Sequence, residues 1–142
     1  MLNFLLNIFN NIFFTEKNEN FYYLSLIQSN NDWHIHGLWP QYSKDSYPTY
    51  CRTVDFDEYK LKPILNELKK YWYSEEEKNQ YFWCHEWKKH GSCMFIDMDE
   101  FDYFNKTLEL FQKVKDMEII DKYKKGQKAL IPFDLKFNLM KN

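Results

Sequence analysis

The stretch FYYLSLIQSNNDWHIHGLWPQ, residues 21–41, decides the fold that we predict. Residues 21–27 are aromatic and apolar, which is typical of a buried strand. Residues 32–38 alternate in character and predict a second strand, which we expect to end at Gly37 because Pro40 lies just beyond it. The alternation gives this strand two faces, one with Trp33, Ile35 and Gly37 and the other with His34, His36 and Leu38.

Helical patterns begin after a polar loop. A helical stretch starts at Asp55 and is interrupted near Pro63, after which apolar residues recur at helical spacing. Ser74 with Glu77 three residues later has the form of a capping box. This pair predicts a third helix, which would run toward Gly91.

A fourth helix and a last strand complete the prediction. Asp97 and Glu100 repeat the capping signature, and an amphipathic stripe follows it. The stripe consists of Phe101, Phe104, Leu108, Phe111 and Val114. Residues 129–139 could add one more strand. The sequence therefore predicts an α+β fold, with strands flanking a run of helices.

Length and charge restrict the class of protein. A chain of 142 residues is expected to form one domain, which we assign to residues 1–142. The net charge is −2, whereas proteins that hold nucleic acid by general charge attraction are usually basic. Any contact with nucleic acid must therefore be local and made by a few residues, which suits an enzyme better than a scaffold.

The first 20 residues give a weak signal. Residues 1–14 are apolar but interrupted by asparagines, and they lack a basic start and a clear cleavage site. We interpret residues 1–20 as either a weak signal segment or a flexible terminus. No stretch is long and apolar enough to predict a transmembrane helix.

All four histidines lie in two short segments, WHIHGLWP at residues 33–40 and HEWKKHGSC at residues 85–93. Histidine has an unperturbed pKa of about 6.5, so it can take up and release a proton near neutral pH. On a helix, the second segment would place His85, Glu86, Lys89 and His90 within a sector about 140° wide. We interpret this sector as a functional site, and the alternative is a solvated, charged helix surface.

These side chains suit the cleavage of RNA. The reaction removes a proton from the 2′-hydroxyl, stabilises a pentacoordinate phosphorane and protonates the departing 5′-oxygen. Two histidines can serve as base and acid, a lysine can hold the non-bridging oxygens, and Glu86 can tune or orient these groups. The inventory predicts metal-free transesterification, in which the substrate supplies its own nucleophile.

The two segments, quoted more fully as HIHGLWPQ and FWCHEWKKHGSC, closely resemble the active-site segments of the ribonuclease T2 family in sequence and order. The resemblance runs from roughly Phe21 to Val114. It implies a small antiparallel sheet flanked by helices, in a short or truncated member whose C-terminal part is shortened. It also implies an endoribonuclease that cleaves single-stranded RNA to 2′,3′-cyclic phosphate and then 3′-phosphate ends. Such an enzyme needs no cofactor and does not cut DNA.

The resemblance assigns catalytic roles to five matching positions. His36 corresponds to the general acid of the family, and His90 corresponds to its general base. His85 corresponds to the histidine that binds phosphate. Glu86 and Lys89 correspond to the pair that stabilises the transition state.

Three aromatic residues resemble those that contact bases in the family. Trp39 and Tyr47 resemble a base-stacking pair, and Phe82 resembles a residue that lines the second base site. His34 has no catalytic counterpart, and we expect it to support the site or to lie on the surface. Gln41 stands where the family often has Asp, which bears on base preference.

Three cysteines allow at most one disulfide within the chain. Cys51 and Cys93 resemble a disulfide pair of the family, and such a bond would contribute roughly 3–4 kcal/mol in the chain-entropy model. Cys84 would remain a thiol, which we expect to be inert. A disulfide of this kind fits a secreted protein or one in an acidic, oxidising compartment.

Two alternatives stay open. The four histidines could bind a metal ion such as zinc, although the two in HEWKKH are five residues apart, whereas zinc proteases use a spacing of four. The chain could also be a relative that has lost turnover and only binds RNA or another partner, although its catalytic set is intact. We favour a monomeric enzyme that acts on RNA.

Overall fold

The computed structural model describes residues 19–126 and 128–141, so our interpretation of residues 1–18 lies outside the described residues. The elements in chain order are β1 (Phe21–Ser29), β2 (Asp32–Gln41), a 3₁₀ helix (Glu58–Ile64), α1 (Leu65–Tyr71), α2 (Asn79–Lys89), a 3₁₀ helix (Gly91–Cys93), α3 (Glu100–Asp116), a 3₁₀ helix (Ile119–Lys122) and β3 (Ala129–Phe133). The predicted α+β class is confirmed.

The three strands form one antiparallel sheet in the order β2-β1-β3, as the family resemblance implied. β2 continues to Gln41, so the prediction that it ends at Gly37 is wrong. Pro40 is tolerated within it because β2 is an edge strand, where a residue without a backbone N–H breaks no ladder.

The register between β1 and β2 shifts at His36. Gly37 and Ile35 lie opposite consecutive residues of β1, so His36 between them is an extra residue, a β-bulge. The bulge brings Ile35 and Leu38 to the same face of the sheet, and both are completely buried. The simple alternation that we predicted is therefore wrong beyond Ile35.

One face of the sheet builds the core. Its buried side chains are Tyr22, Leu24, Leu26, Ile35, Leu38, Ala129, Ile131 and Phe133. The predicted stripe of α3 belongs to the same core, except that Phe101 is only half-buried. The other face carries Tyr23, His36, Trp39, Gln41 and Leu130. The apolar core thus leaves this second face free for chemistry.

Two aromatic residues of the helical layer cover the open edge of β2. Trp72 Nε1 donates a hydrogen bond to the carbonyl of His36 at 2.9 Å, and the Tyr103 hydroxyl donates to the carbonyl of Leu38 at 2.9 Å. Burial raises the pKa of Tyr103 well above its usual value, so this hydroxyl remains a donor. These bonds satisfy two backbone carbonyls on the open edge of β2 and hold the segment around His36 in place.

Ser74 does not cap a helix, so that prediction is wrong. Its hydroxyl accepts hydrogen bonds from the backbone N–H groups of Glu76 and Glu77, which closes a local turn. α2 begins at Asn79, whose side chain accepts from the backbone of Ser74. The serine therefore shapes the approach to α2 rather than its first turn.

Two further boundaries differ from the prediction. The cap of α3 is Asp99 rather than Asp97, because Asp99 accepts from the N–H of Asp102 at 2.8 Å. β3 ends at Phe133, and only a single bridge pairs Phe133 with Leu139 beyond it.

A disulfide joins Cys51 to Cys93, with 5.1 Å between their Cα atoms. It ties the loop after β2 to the end of α2, where the N–H of Tyr50 also donates to the carbonyl of Lys89. Cys84 is a free, half-buried cysteine. Across the described chain, no helix is both long and apolar enough to cross a membrane.

Candidate active site

The free face of the sheet and the C-terminal half of α2 meet at a cleft of about 280 Å³. Five residues that the sequence predicts to be catalytic all line it: His36, His85, Glu86, Lys89 and His90. Trp39 and Tyr47, which we predicted to stack on a base, line the same cleft. Two segments about fifty residues apart in the sequence therefore share one site.

Glu86 lies between the two proposed acid–base histidines and is 1% exposed. Its Oε1 lies 3.3 Å from His36 Nε2, and its Oε2 lies 3.9 Å from His90 Nε2. Trp39 Nε1 donates a hydrogen bond of 3.1 Å to the same Oε2. A buried carboxylate needs such donors, and here it holds both imidazoles at one point of the cleft.

Gly37 allows this approach. A Cβ at this position would overlap Glu86 Oε2 and would lie 2.5 Å from Trp39 Nε1. The absence of a side chain therefore lets the carboxylate and the indole pass close to the backbone of β2.

His90 is buried, and its surroundings favour the neutral imidazole. Burial lowers its pKa to about 4, the charge of Glu86 opposes this effect, and the charge of Lys89 adds to it. The Trp39 ring stacks on the imidazole, with 5.2 Å between centroids and 29° between planes. A neutral imidazole near neutral pH can accept a proton.

His36 is the more accessible of the two histidines, with 31% of its side chain exposed. Its ring makes edge contact with Trp39 at 5.0 Å and lies 5.7 Å from Phe82. When His36 is protonated, its contact with Glu86 is an ion pair. An accessible imidazolium can donate a proton to a leaving group in the cleft.

Lys89 brings a positive charge to the cleft, and His85 also lines it. His85 is exposed, whereas Lys89 is half-buried in the last turn of α2. The neighbouring Lys88 is exposed and does not line the cleft. The helix therefore turns only one of its two adjacent lysines toward the site.

Phe82 lies on the other side of His36 from the main cleft. It lines a second hollow of about 290 Å³, which shares His36, His85 and Glu86 with the cleft. We name this space the Phe82 hollow. Its position beside the proposed acid agrees with a separate base site, and that role stays a prediction.

His34 lies in the wall of the Phe82 hollow and is 3% exposed, so it is not a surface residue. Its Nε2 is 3.0 Å from the hydroxyl of Ser29, and its ring stacks on Tyr73 with 4.1 Å between centroids. Burial lowers its pKa. His34 thus supports the residues beside His36.

Sequence reasoning missed three residues that line the cleft, Tyr23, Lys44 and Leu130, whereas Gln41, which we had linked to base preference, lines it as well. Gln41 and Lys44 follow the first motif closely, and the side chain of Gln41 donates to the carbonyl of Ser43 at 3.0 Å. The alternation of β1 could have shown that Tyr23 lies on the face of the sheet opposite to its buried neighbours Tyr22 and Leu24. Leu130 had no comparable signal, because its position depends on how β3 pairs with β1.

The metal alternative has no support in this geometry. Among residues 19–126 and 128–141, no three histidine, cysteine, aspartate or glutamate side chains are arranged to hold a metal ion.

The fold and the sequence are both similar to those of known ribonucleases. The solved structure of trichomaglin, described as a novel S-like ribonuclease, has a TM-score of 0.66 over 83% of this chain and 88% of that chain. Its sequence identity is 21%, so the likeness establishes the fold. The model of the ribonuclease T2 family matches residues 10–128, and the chain belongs to this family.

Two curated relatives illustrate the similarity. Ribonuclease 3 of Arabidopsis thaliana is 36% identical over 86 residues, which are 58% of this chain and 39% of that protein. Ribonuclease T2 of Aspergillus oryzae is 33% identical over 118 residues, which are 70% of this chain and 41% of that protein. The chain thus spans about two fifths of the length of these relatives.

Proposed function

We propose that the protein is an endoribonuclease that cleaves single-stranded RNA by metal-free transesterification. The observation that carries this proposal is the contact of His36 and His90 with the one buried carboxylate of Glu86, in an open cleft. Two imidazoles that contact the same carboxylate lie close enough together for one to act on the 2′-hydroxyl and the other on the departing 5′-oxygen of a single phosphodiester.

The proton transfers follow from the two environments. The neutral His90 accepts the proton of the 2′-hydroxyl, whose oxygen then attacks phosphorus. Protonated His36 donates its proton to the departing 5′-oxygen, so the products are a 2′,3′-cyclic phosphate and a 5′-hydroxyl. Water then opens the cyclic phosphate to a 3′-phosphate, with the acid and base roles exchanged.

Charge stabilisation falls to the remaining residues. Lys89 and His85 line the cleft and would hold the non-bridging oxygens as negative charge develops on them. Glu86 acts through its contacts with both histidines and Trp39, since a carboxylate would repel the phosphate itself.

The catalytic cleft and the Phe82 hollow together give the RNA strand a direction across the site. The nucleoside that carries the attacking 2′-hydroxyl lies on the side of His90, where Trp39 and Tyr47 can stack on its base. The leaving nucleoside lies on the side of His36, in the Phe82 hollow. One face of Trp39 already contacts His90, so only its other face is available to a base.

The disulfide and the family membership support an oxidising setting, such as the exterior of the cell or an acidic compartment. We propose that the protein acts as a monomer and that RNA is its partner.

The decisive experiment incubates the protein with RNA and with DNA of the same sequence, in the presence of EDTA. We expect only RNA to be cut, because DNA lacks the 2′-hydroxyl, and we expect cyclic phosphate ends early and 3′-phosphate ends later. Loss of activity in EDTA or cleavage of DNA would contradict the mechanism. Binding of RNA without cleavage would favour the non-catalytic alternative.

A further inference from the structure

A third hollow of about 450 Å³ lies beyond the Phe82 hollow and outside the catalytic cleft. Tyr73 lines both this hollow and the Phe82 hollow, so the two adjoin. Lys70, Tyr71 and Lys115 also line the third hollow, together with Trp33. We name it the lysine hollow, and the proposed reaction makes no use of it.

Two ammonium groups converge on one aromatic ring there. Lys70 Nζ lies 5.0 Å from the centroid of the Tyr71 ring, and Lys115 Nζ lies 4.6 Å from the same centroid. Within the described part of the chain, neither lysine forms an ion pair with a carboxylate. Two like charges held near one ring, neither of them ion-paired within the described residues, are available to bind an anion.

Three carboxylates restrict which anion fits. Asp32, Glu118 and Asp121 also line the lysine hollow, so a compact dianion would be repelled from much of its wall. A phosphodiester carries a single negative charge and arrives as part of a chain. The hollow therefore suits a nucleic-acid backbone better than free phosphate.

Aromatic rings offer a place for a base beside that phosphate. Trp33, Tyr71 and Tyr73 are each half-buried, so part of each ring faces the surface. Bases of single-stranded nucleic acid stack on such rings with little regard to sequence.

The route from the catalytic cleft to the lysine hollow follows β2. Trp33 precedes His36 by three residues, which is ~10 Å along a strand. Between them, Glu75, Glu76 and Glu77 line the Phe82 hollow. Their negative charge disfavours a phosphate in the Phe82 hollow, so we expect a base to occupy it. The next phosphate along the strand is then expected at Lys70 and Lys115.

We propose that the lysine hollow is an additional RNA subsite, in which Lys70 and Lys115 bind a phosphodiester on the 3′ side of the leaving nucleoside. This assignment rests on the proposed function, because the direction of the RNA follows from the roles of His36 and His90. The subsite would increase the affinity for long RNA over short RNA and would leave the chemical step unchanged.

The test compares two double variants. K70Q/K115Q removes both ammonium groups of the lysine hollow. K69Q/K113Q removes a neighbouring exposed lysine from each of the same two helices, so it is a matched control for charge and for helix context. Cleavage is measured on a dinucleoside monophosphate, which is too short to reach the hollow, and on a longer single-stranded oligoribonucleotide.

We expect K70Q/K115Q to raise KM for the oligoribonucleotide about tenfold and to leave cleavage of the dinucleoside monophosphate unchanged. The dependence of log affinity on log salt should weaken by about 0.7, which corresponds to one lost phosphate contact on a single strand. The control variant should change both values much less. Equal losses in the two double variants, or an unchanged KM in K70Q/K115Q, would overturn the assignment.

A binding measurement separates this proposal from the proposed function. If the wild-type protein cleaves neither the dinucleoside monophosphate nor the oligoribonucleotide, the proposed function is wrong. The affinity for a fluorescent 2′-O-methyl oligonucleotide, which cannot react, then decides the subsite alone. Weaker binding by K70Q/K115Q than by K69Q/K113Q supports the lysine hollow, and equal binding excludes it.

Discussion

His36 and His90 approach the same carboxylate from different elements and in different environments. The side chain of His36 is 31% exposed, whereas that of His90 is 7% exposed. His36 sits at a bulge on an edge strand, and His90 follows the last turn of α2 under the ring of Trp39. The comparison teaches that burial, rather than residue type, distinguishes the two histidines to which we assign the acid and base roles.

The shared carboxylate makes the difference useful. The charge of Glu86 favours a proton on His90, yet desolvation outweighs this effect and lowers the pKa of His90 to about 4. In the proposed mechanism, one carboxylate thus contacts both the accessible imidazole that serves as the acid and the buried imidazole that serves as the base.

Removal of either imidazole gives the largest expected effect. We expect His36→Ala and His90→Ala each to lower kcat/KM on RNA by about 10³-fold, because each loses one of the two proton transfers. Lys88→Ala, on the exposed side of α2, should retain activity within about twofold and serves as the control. Circular dichroism checks that each variant folds, and near-wild-type activity in either histidine variant would refute its role.

The separate elements of this site could be predicted from the sequence. The 3.6-residue period placed His85, Glu86, Lys89 and His90 on one sector of a helix, and all four line the cleft. Which residues share a face of one helix depends only on their spacing in the sequence, so it can be predicted without knowledge of the fold.

Features that depend on strand pairing, or on the packing of distant elements, could not be predicted from the sequence. The bulge at His36 is defined only by the partner residues in β1, so the period-2 pattern alone assigned the wrong face to Leu38. Leu130 reaches the cleft through a pairing of β3 with β1 that spans about a hundred residues. The contact between Glu86 and His36 likewise joins two elements whose packing the sequence does not encode locally.

Turn chemistry explains why the capping prediction at Ser74 was wrong. Ser74 and Glu77 satisfy the pattern of a capping box, but the hydroxyl of Ser74 closes a turn of its own before α2 begins at Asn79. Serine hydrogen-bonds equally well in both settings, so the pattern did not distinguish them.

The burial of His90 should also make stability depend on pH. In the unfolded chain histidine titrates near 6.5, whereas in the folded protein the pKa of His90 is about 4. Between these values the unfolded state binds the extra proton, so stability falls as pH falls through that window and changes no further below it. The contribution of His90 to this loss should be about 3 kcal/mol, measured by urea unfolding at pH 7 and near pH 4.

The variant His90→Gln isolates that contribution. It should unfold with a shallower dependence on pH, by about 3 kcal/mol over the same window, because it cannot titrate. His34, whose pKa burial also lowers, remains in both proteins and cancels in the comparison. An unchanged pH dependence in His90→Gln would mean that His90 is not desolvated in the folded state.

The smallest expected effect comes from removing the negative charge of Glu86, which contacts both histidines. Glu86→Gln keeps the size of the side chain and an acceptor for Trp39 Nε1, so the loss is mainly electrostatic. We expect kcat/KM to fall roughly 10²-fold, since neither imidazole then faces a negative charge. The charge of Glu86 raises the pKa of His90, so its removal should move the acidic limb of the pH profile of kcat/KM to lower pH. An acidic limb that stays in place or moves to higher pH would show that the charge of Glu86 does not raise the pKa of His90, and the division of roles would then need a different cause.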